Sequence, residues 1–342
     1  MVEITYDSSK PFKDRVIEAI QSTWNVRPEI KVEKKGPYAF FVETLPENMA
    51  KIDHTDGVGT KALIHYNMKT FKNAVQDAFA MNANDLILMG VEPYRLQDHI
   101  ILENDDHEAI IEIVEALSEL CQKYNVVISG GETAILSTMT GMEIGMTMMG
   151  FVNKDDIILP DIHAGDVVLG IESNGIHSNG YTFLRTLFLE ELNLKLSDEM
   201  YDGITVGEEL TRPTHIYVNV MKEVFENNRK NITGMMHMTG GSFTKLLDIM
   251  PKNVDIKVNR SHGLELHKVF KIIKEKSGWT DSDMYKNFNC GIGFTIIVKK
   301  ESATEILDII NKEFKAEVIG EVVEGTGKVF VESKFSDTSV EY

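Results

Sequence analysis

Asp56-Gly57-Val58-Gly59-Thr60-Lys61 places a carboxylate, two glycines, a hydroxyl and an ammonium in one short run. Glycine lets backbone N–H groups approach phosphate oxygens, an ammonium neutralises phosphate charge, and a carboxylate holds a divalent cation that bridges a polyphosphate. The run is neither a Walker A loop, G-x-x-x-x-G-K-[ST], nor the dinucleotide pattern G-x-G-x-x-G. By composition alone it reads equally as a glycine turn after a short strand. Its meaning therefore depends on what the rest of the chain can bring to it.

Working outward, helix and strand periods alternate. Phe12, Val16, Ile17 and Ile20 repeat at helical spacing and predict a helix that ends before Arg27-Pro28. Strands are expected at Tyr38 to Glu43 and near Ala50 to Asp53. A long helix follows from Phe71, stopped by Gly90 and Pro93. Next come a strand at Leu96 to Leu102, a helix opened by Asp105 or Asp106 and running to about Tyr124, and a buried strand at Val126 to Ser129. That strand delivers a loop, Gly130-Gly131-Glu132-Thr133, and Glu143 to Val152 completes the unit. The turn-rich stretch Asp155 to Gly165 is the expected linker, dividing a domain 1–155 from a domain 166–342. The second half repeats the theme: strand Asp166 to Glu172 before Ser173 to Gly180, and a strand–loop–helix unit at Gly234 to Met250 with Thr239-Gly240-Gly241-Ser242 at its turn. Helices are expected near 213–227, 264–276 and 302–313, with strands near 290–299, 316–323 and 328–332. The class is α/β or α+β with two domains.

Composition narrows the function. The 342 residues, 43% of them hydrophobic, suffice for two ordinary cores. A formal net charge of −18 argues against nucleic acid or an anionic membrane as partner, while local cations can still bind a small anion. Cys121 and Cys290 have no C-x-x-C spacing, so neither a disulfide framework nor a thiolate zinc site is indicated. The start, Met1 to Tyr6, has no basic-then-apolar leader pattern, and no apolar run reaches the ~18 residues that span a bilayer. A cytoplasmic protein with no membrane partner is expected.

The polar residues can then be weighed. Asn84 and Asp85 interrupt an apolar helix, where burial costs energy unless they are partnered or functional. Glu132 follows two glycines at a strand end, a place where α/β proteins hold ligands. Asp56, Asp85 and Glu132 thus form three hard-oxygen donors suited to Mg²⁺ with substrate phosphates. His177 lies in a glycine-bounded loop before a helix, where Ser178 and Asn179 can cap. It reads as a surface histidine or as a proton carrier or hydrogen-bond donor to a substrate. His237 repeats the arrangement ahead of Thr239-Gly240-Gly241. Asn287 to Gly293 precedes a strand, and Cys290 within it reads as a packing residue.

The ordered set Thr55 to Lys61 (TDGVGTK), Asn84-Asp85-Leu86 with Gly90-Val91-Glu92-Pro93, Gly130 to Ala134 (GGETA), His177 to Tyr181 (HSNGY), Pro213 to Val218, His237 to Gly241 (HMTGG) and Met284 to Gly293 resembles the phosphoribosylformylglycinamidine cyclo-ligase (AIR synthetase) family across most of the chain. The resemblance implies ATP-dependent closure of formylglycinamidine ribonucleotide (FGAM) to aminoimidazole ribonucleotide (AIR), releasing ADP and phosphate. It further implies ATP and Mg²⁺ as cofactors and a homodimer paired through N-terminal strands. On it, Asp56, Gly57, Gly59, Thr60, Lys61, Asn84, Asp85, Gly130, Gly131, Glu132 and Thr133 are expected at ATP, with Asp56, Asp85 and Glu132 on the metal. His177, Ser178, Asn179, His237, Thr239, Gly240, Gly241 and Asn289 are expected at the substrate, and His177, Lys61 and Asp56 in catalysis.

Three stretches depart from the family pattern, one of them the short Ile135-Leu136-Ser137-Thr138 that follows GGETA. The start reads Thr5 to Lys10, and Lys34-Lys35-Gly36-Pro37-Tyr38-Ala39-Phe40 stands where a glycine loop is usual. Pro37 has no N–H to give a phosphate, although Lys34 or Lys35 can substitute electrostatically. Rival readings are selenophosphate synthetase, which needs an early Cys absent before Cys121, and thiamine-monophosphate kinase. The hydrogenase-maturation dehydratase needs a C-terminal Cys where this chain ends in Tyr342, and the large formylglycinamidine synthetase is far longer. From another class comes a non-catalytic nucleotide sensor.

Overall fold

The computed structural model describes residues 12–28, 31–35, 38–42 and 47–342, so the Thr5 to Lys10 stretch and Gly36-Pro37 lie outside the described residues. The chain divides into two compact units, one formed by residues 1–87 and 91–155 and the other by 88–90 and 156–342.

The first unit contains α1 (Phe12–Ser22), the hairpin β1 (Lys31–Lys35) and β2 (Tyr38–Val42), then β3 (Met49–Gly57), α2 (Lys61–Met68), α3 (Phe71–Leu86), β4 (Glu92–Leu102), α4 (His107–Tyr124), β5 (Val127–Ile135) and β6 (Met142–Asn153). Four strands make one sheet in the order β3-β6-β4-β5, antiparallel except for the parallel β4–β5 pair. Side chains alternate across it. His54, Asp56, Met146, Met148, Leu96 and Asp98 share the face covered by α3 and α4, while Asp53, Thr55, Gln97, His99 and Glu132 are exposed on the other. Asp106 caps α4 by accepting the Ala109 N–H at 3.1 Å, and Asn125 ends it at φ 54°.

The second unit contains β7 (Val167–Glu172), α5 (Tyr181–Arg185), β8 (Glu199–Tyr201), β9 (Ile204–Thr205), α6 (Val206–Leu210), α7 (Val218–Asn228), β10 (Ile232–His237), β11 (Val254–Val258), α8 (Lys268–Ser277), α9 (Asp281–Asn287), β12 (Ile292–Val298), α10 (Ala303–Ile310), β13 (Ala316–Glu324), β14 (Val329–Glu332) and β15 (Ser339–Glu341). Its seven-stranded sheet runs β10-β12-β7-β13-β11-β14-β15, and only β11–β14 is parallel. Every residue of β12 is buried, as befits an apolar strand with neighbours on both edges and layers on both faces. The architecture is α+β in both units. No helix among the described residues is long and apolar enough to cross a membrane.

One local expectation fails clearly. Gly130 to Thr133 are not a loop, because β5 continues through them to Ile135. Glycine lowers strand propensity, but a Cβ on Gly131 would lie 2.6 Å from both Asp98 carboxylate oxygens, so the glycine is there to let a neighbouring side chain pass. β11 and α9 were not among the expected elements, although β11 alternates apolar Val254, Ile256 and Val258 with Asp255 and Lys257.

Candidate active site

In the first unit, the end of β3 and the last turns of α3 are sewn together by a residue no motif pointed to. Asn82 is fully buried; its Oδ1 accepts the Asp56 N–H at 2.9 Å and its Nδ2 donates to the Asp56 carbonyl at 3.0 Å and the Ala78 carbonyl at 2.9 Å. Burial without those bonds would be costly, and with them the helix is held in one register against the strand. His54 donates from Nδ1 to the same Asn82 oxygen at 3.3 Å and lies 3.4 Å from Asp85 through Nε2. Asp56 and Asp85 are therefore gathered around His54 and Asn82, and Asn84 is fully buried beside them on α3.

The Asp56–Lys61 run does not form an open phosphate cradle. The Gly57 N–H donates to Asp56 Oδ1 at 2.7 Å, the Val58 N–H to the Ile144 carbonyl at 3.1 Å, and the Gly59 N–H to Glu143 at 3.4 Å. A Cβ on Gly57 would stand 2.6 Å from the Glu143 carboxylate and 3.1 Å from the Ile144 carbonyl, so a side chain there would have to displace Glu143. Gly59, at φ 63°, and Thr60 are exposed. Lys61, expected to face phosphate, turns inward instead. Its fully buried ammonium lies 2.7 Å from the equally buried Asp77, which also takes His65 Nε2 at 2.8 Å. Burial by itself would raise the Asp77 pKa, but Lys61 and His65 hold it below the usual carboxylate range. Burial lowers that of His65, against the raising pull of Asp77; its Nε2 meets Asp77 and its Nδ1 lies 2.8 Å from the Thr70 hydroxyl.

Glu132 is not brought to Asp56. It is exposed on the uncovered face, opposite His99 in register, whereas Asp56 lies on the helix-covered face; Thr133, its neighbour, is also exposed. The carboxylate that does share the Asp56 face is Asp98, which the sequence reading missed. Burial, followed by the nearby Glu132 charge, pushes its pKa up to about 7, and it makes no ion pair among the described residues. No three His, Cys, Asp or Glu side chains are grouped to hold a metal ion among the described residues. Asp56 and Asp98 nevertheless have the right chemistry for Mg²⁺, which completes its shell with water and phosphate oxygens. A bound cation would also offset the burial that raises the Asp98 pKa.

In the second unit, three loops converge at the ends of β7, β10 and β12. Ser173 donates to Asn289 Oδ1 at 2.9 Å, and the Asn289 amide donates to the Gly175 and Ile176 carbonyls at 2.9 and 3.1 Å. His177, at φ 64° and 1% exposed, accepts the Asn174 N–H at Nε2 at 2.9 Å. Ser178 pairs with Thr214 at 2.9 Å and Asn179 donates to the Asn287 carbonyl, so neither caps α5, whose N-cap is Gly180. His237 closes β10, at the strand end where it was expected, but it is fully buried and pairs in register with Phe294.

The TGG loop brings its own cation. Lys245 donates to the Thr239 hydroxyl at 2.9 Å and to the His237 carbonyl at 3.3 Å, and among the described residues it makes no ion pair. Gly241 is at φ 85°, and a Cβ on Gly240 would stand 3.2 Å from Asn179 Oδ1, so the HSNGY and TGG loops meet here. Lys245 was missed because a lone lysine in an amphipathic stretch has no sequence signal. Cys290 is a packing residue, its thiol pushed well up by burial.

The profile "AIR synthase related protein, N-terminal domain" matches residues 38–152, and "AIR synthase related protein, C-terminal domain" matches 163–332. The chain is 37% identical over 317 residues to the phosphoribosylformylglycinamidine cyclo-ligase of Methanocaldococcus jannaschii, covering 91% of this chain and 89% of that protein. Among solved structures it is similar in fold to E. coli HypE, with a TM-score of 0.67 at 17% identity, covering 98% of this chain and 96% of that one. A hydrogenase maturation protein HypE in complex with ATP gives a TM-score of 0.64 at 16% identity, covering 100% and 97%. With both profiles matched in order and that identity sustained through both units, the chain belongs to the phosphoribosylformylglycinamidine cyclo-ligase family of AIR synthase related proteins.

Proposed function

We propose that this chain closes the imidazole ring of aminoimidazole ribonucleotide from formylglycinamidine ribonucleotide, using ATP and releasing ADP and phosphate. The observation that carries this reading is the sustained identity to a cyclo-ligase across both units, with the loops at Ser173–Gly180, Thr239–Ser242 and Asn287–Gly291 tied to one another. An amide oxygen is a poor leaving group. Transfer of the γ-phosphoryl group onto it makes the carbon open to attack by the substrate's own nitrogen, and phosphate then departs with that oxygen.

The roles divide between the units. Asp56 and Asp98, with Asp85 beside His54, would hold Mg²⁺ and the ATP phosphates, and Gly59 and Thr60 are the exposed part of the glycine run. Bound Mg²⁺ would neutralise phosphate charge as the phosphoryl group moves. Asn179, Thr239, Gly240 and Lys245 would hold the phosphorylated substrate. The exposed face of the four-stranded sheet, carrying Thr55, Gln97, His99 and Glu132, would pair with a second copy in a homodimer.

The test is direct: purified protein with ATP, Mg²⁺ and FGAM should form AIR and ADP in equal amounts. Absence of substrate-dependent AIR would overturn the assignment.

A further inference from the structure

His177 is the residue whose type and loop point most strongly to proton transfer, and its surroundings assign it different work. Its Nε2 is already an acceptor, taking the Asn174 N–H at 2.9 Å, so the neutral ring carries its proton on Nδ1. To take a proton at Nε2 it would have to release that N–H inside a site where the residue is 1% exposed. The backbone is committed as well. His177 sits at φ 64°, a region that costs a non-glycine residue energy unless its surroundings hold it there.

Asn289 supplies that hold. It is 2% exposed, and its amide donates to the two carbonyls just before His177, those of Gly175 and Ile176. Its oxygen accepts from Ser173 Oγ and from the Gly291 N–H, both at 2.9 Å. With both amide protons and the oxygen spent inside the protein, Asn289 is not the substrate contact expected of it. Gly293 completes the seat: a Cβ there would lie 2.7 Å from His177 Cε1 and 2.1 Å from the Tyr217 hydroxyl. The groups facing the ring are His215, at 5.8 Å between centroids, and Tyr217, whose hydroxyl donates to the Glu172 carbonyl. His267 lies behind the loop on the Ser173 carbonyl.

We infer that His177 is a positioning residue: its Nε2 latches the Asn174 N–H, Asn289 clamps the turn, and together they hold Ser178 on Thr214 and Asn179 against Gly240. This rests on the cyclo-ligase reading and concerns the same site. On it, His177 does not accept the proton released in ring closure.

The experiment compares wild type, His177→Gln and His177→Ala in AIR formation across pH 6 to 9. Glutamine carries an acceptor oxygen at about the reach of Nε2 and cannot titrate, so it should keep kcat within about 5-fold and leave the pH profile unchanged. Alanine should lose about 30-fold or more in kcat with KM for ATP unmoved. A folded His177→Gln protein as impaired as His177→Ala, with a limb of the pH profile gone, would overturn the inference. Should the glutamine variant not fold, ¹⁵N NMR of the wild-type imidazoles decides. An Nε2 unprotonated throughout supports the latch, and a His177 titration that tracks the rate overturns it. Wild-type protein that makes no AIR would instead refute the cyclo-ligase reading, so the two failures are distinct.

Discussion

Lys61 and Lys245 each stand next to a glycine-containing turn after a strand, one in each unit, and they do opposite things. Lys61, inside the most conspicuous motif of the chain, is fully buried against Asp77 and His65. Lys245, in a stretch with no motif value, reaches back to Thr239 with no carboxylate partner among the described residues. A lysine's role is set by which counter-charge folding delivers to it. In the first unit α3 delivers Asp77, so the ammonium becomes part of the core. In the second the TGG loop offers only a hydroxyl and a carbonyl, which orient an ammonium without cancelling its charge.

The sharpest way to break this contrast is Lys61→Met. It leaves the Asp77 carboxylate buried without its main counter-charge and should cost about 3–5 kcal/mol, read by urea unfolding. The folded pKa of Asp77 is depressed, so its contribution is present above the unfolded value near ~3.9 and is lost as pH falls through the folded one. The deficit of the variant should therefore be full at neutral pH and shrink in acid. A variant of wild-type stability with a raised KM for ATP would return Lys61 to the nucleotide.

Lys245→Met tests the other side. It should raise KM for the phosphorylated substrate about 10-fold, equivalent to ~1.4 kcal/mol, with stability and KM for ATP little changed and partial recovery in Lys245→Arg. An unchanged KM would remove Lys245 from the substrate site and collapse the contrast.

The smallest effect sharpens the electrostatics of the first unit. Asp98 has a folded pKa raised to about 7, so the folded state binds the proton more tightly than the unfolded chain. Wild-type stability should then fall as pH rises from about 4 through 7. Asp98→Asn escapes this penalty and should exceed wild type in stability at pH 8 by on the order of 1 kcal/mol, with the difference shrinking as pH falls and gone near pH ~4. Equal pH dependence in both proteins would show that the Asp98 carboxyl is already compensated.

What could be read ahead of the structure was whatever is encoded locally. The Asp106 cap, the apolar period of α1 and the buried run of β12 depend on near neighbours in the chain, and each element formed close to its expected place. Gly131 shows the limit. Its composition says loop, yet β5 runs through it because a carboxylate on the adjacent strand occupies the room a side chain would need. Asn82 and Asp98 carried no signal at all, since a single buried amide or carboxylate acquires its role only from the strand or helix laid against it. Asn289 carried a misleading one, because its amide is spent on the Gly175 and Ile176 carbonyls inside the protein.

By itself, the amino-acid sequence determined the α+β class, the order of elements and, through its motifs in series, the family. Periodicity, caps and glycine turns act over a few residues, and motif order survives any folding. Only the tertiary structure decided which charges meet. It closed Lys61 onto Asp77, set Asp98 rather than Glu132 on the face of Asp56, and turned the His177 Nε2 onto a backbone N–H. Desolvation and hydrogen-bond geometry depend on partners far away in the chain, and the free energy of a polar group is settled by those partners.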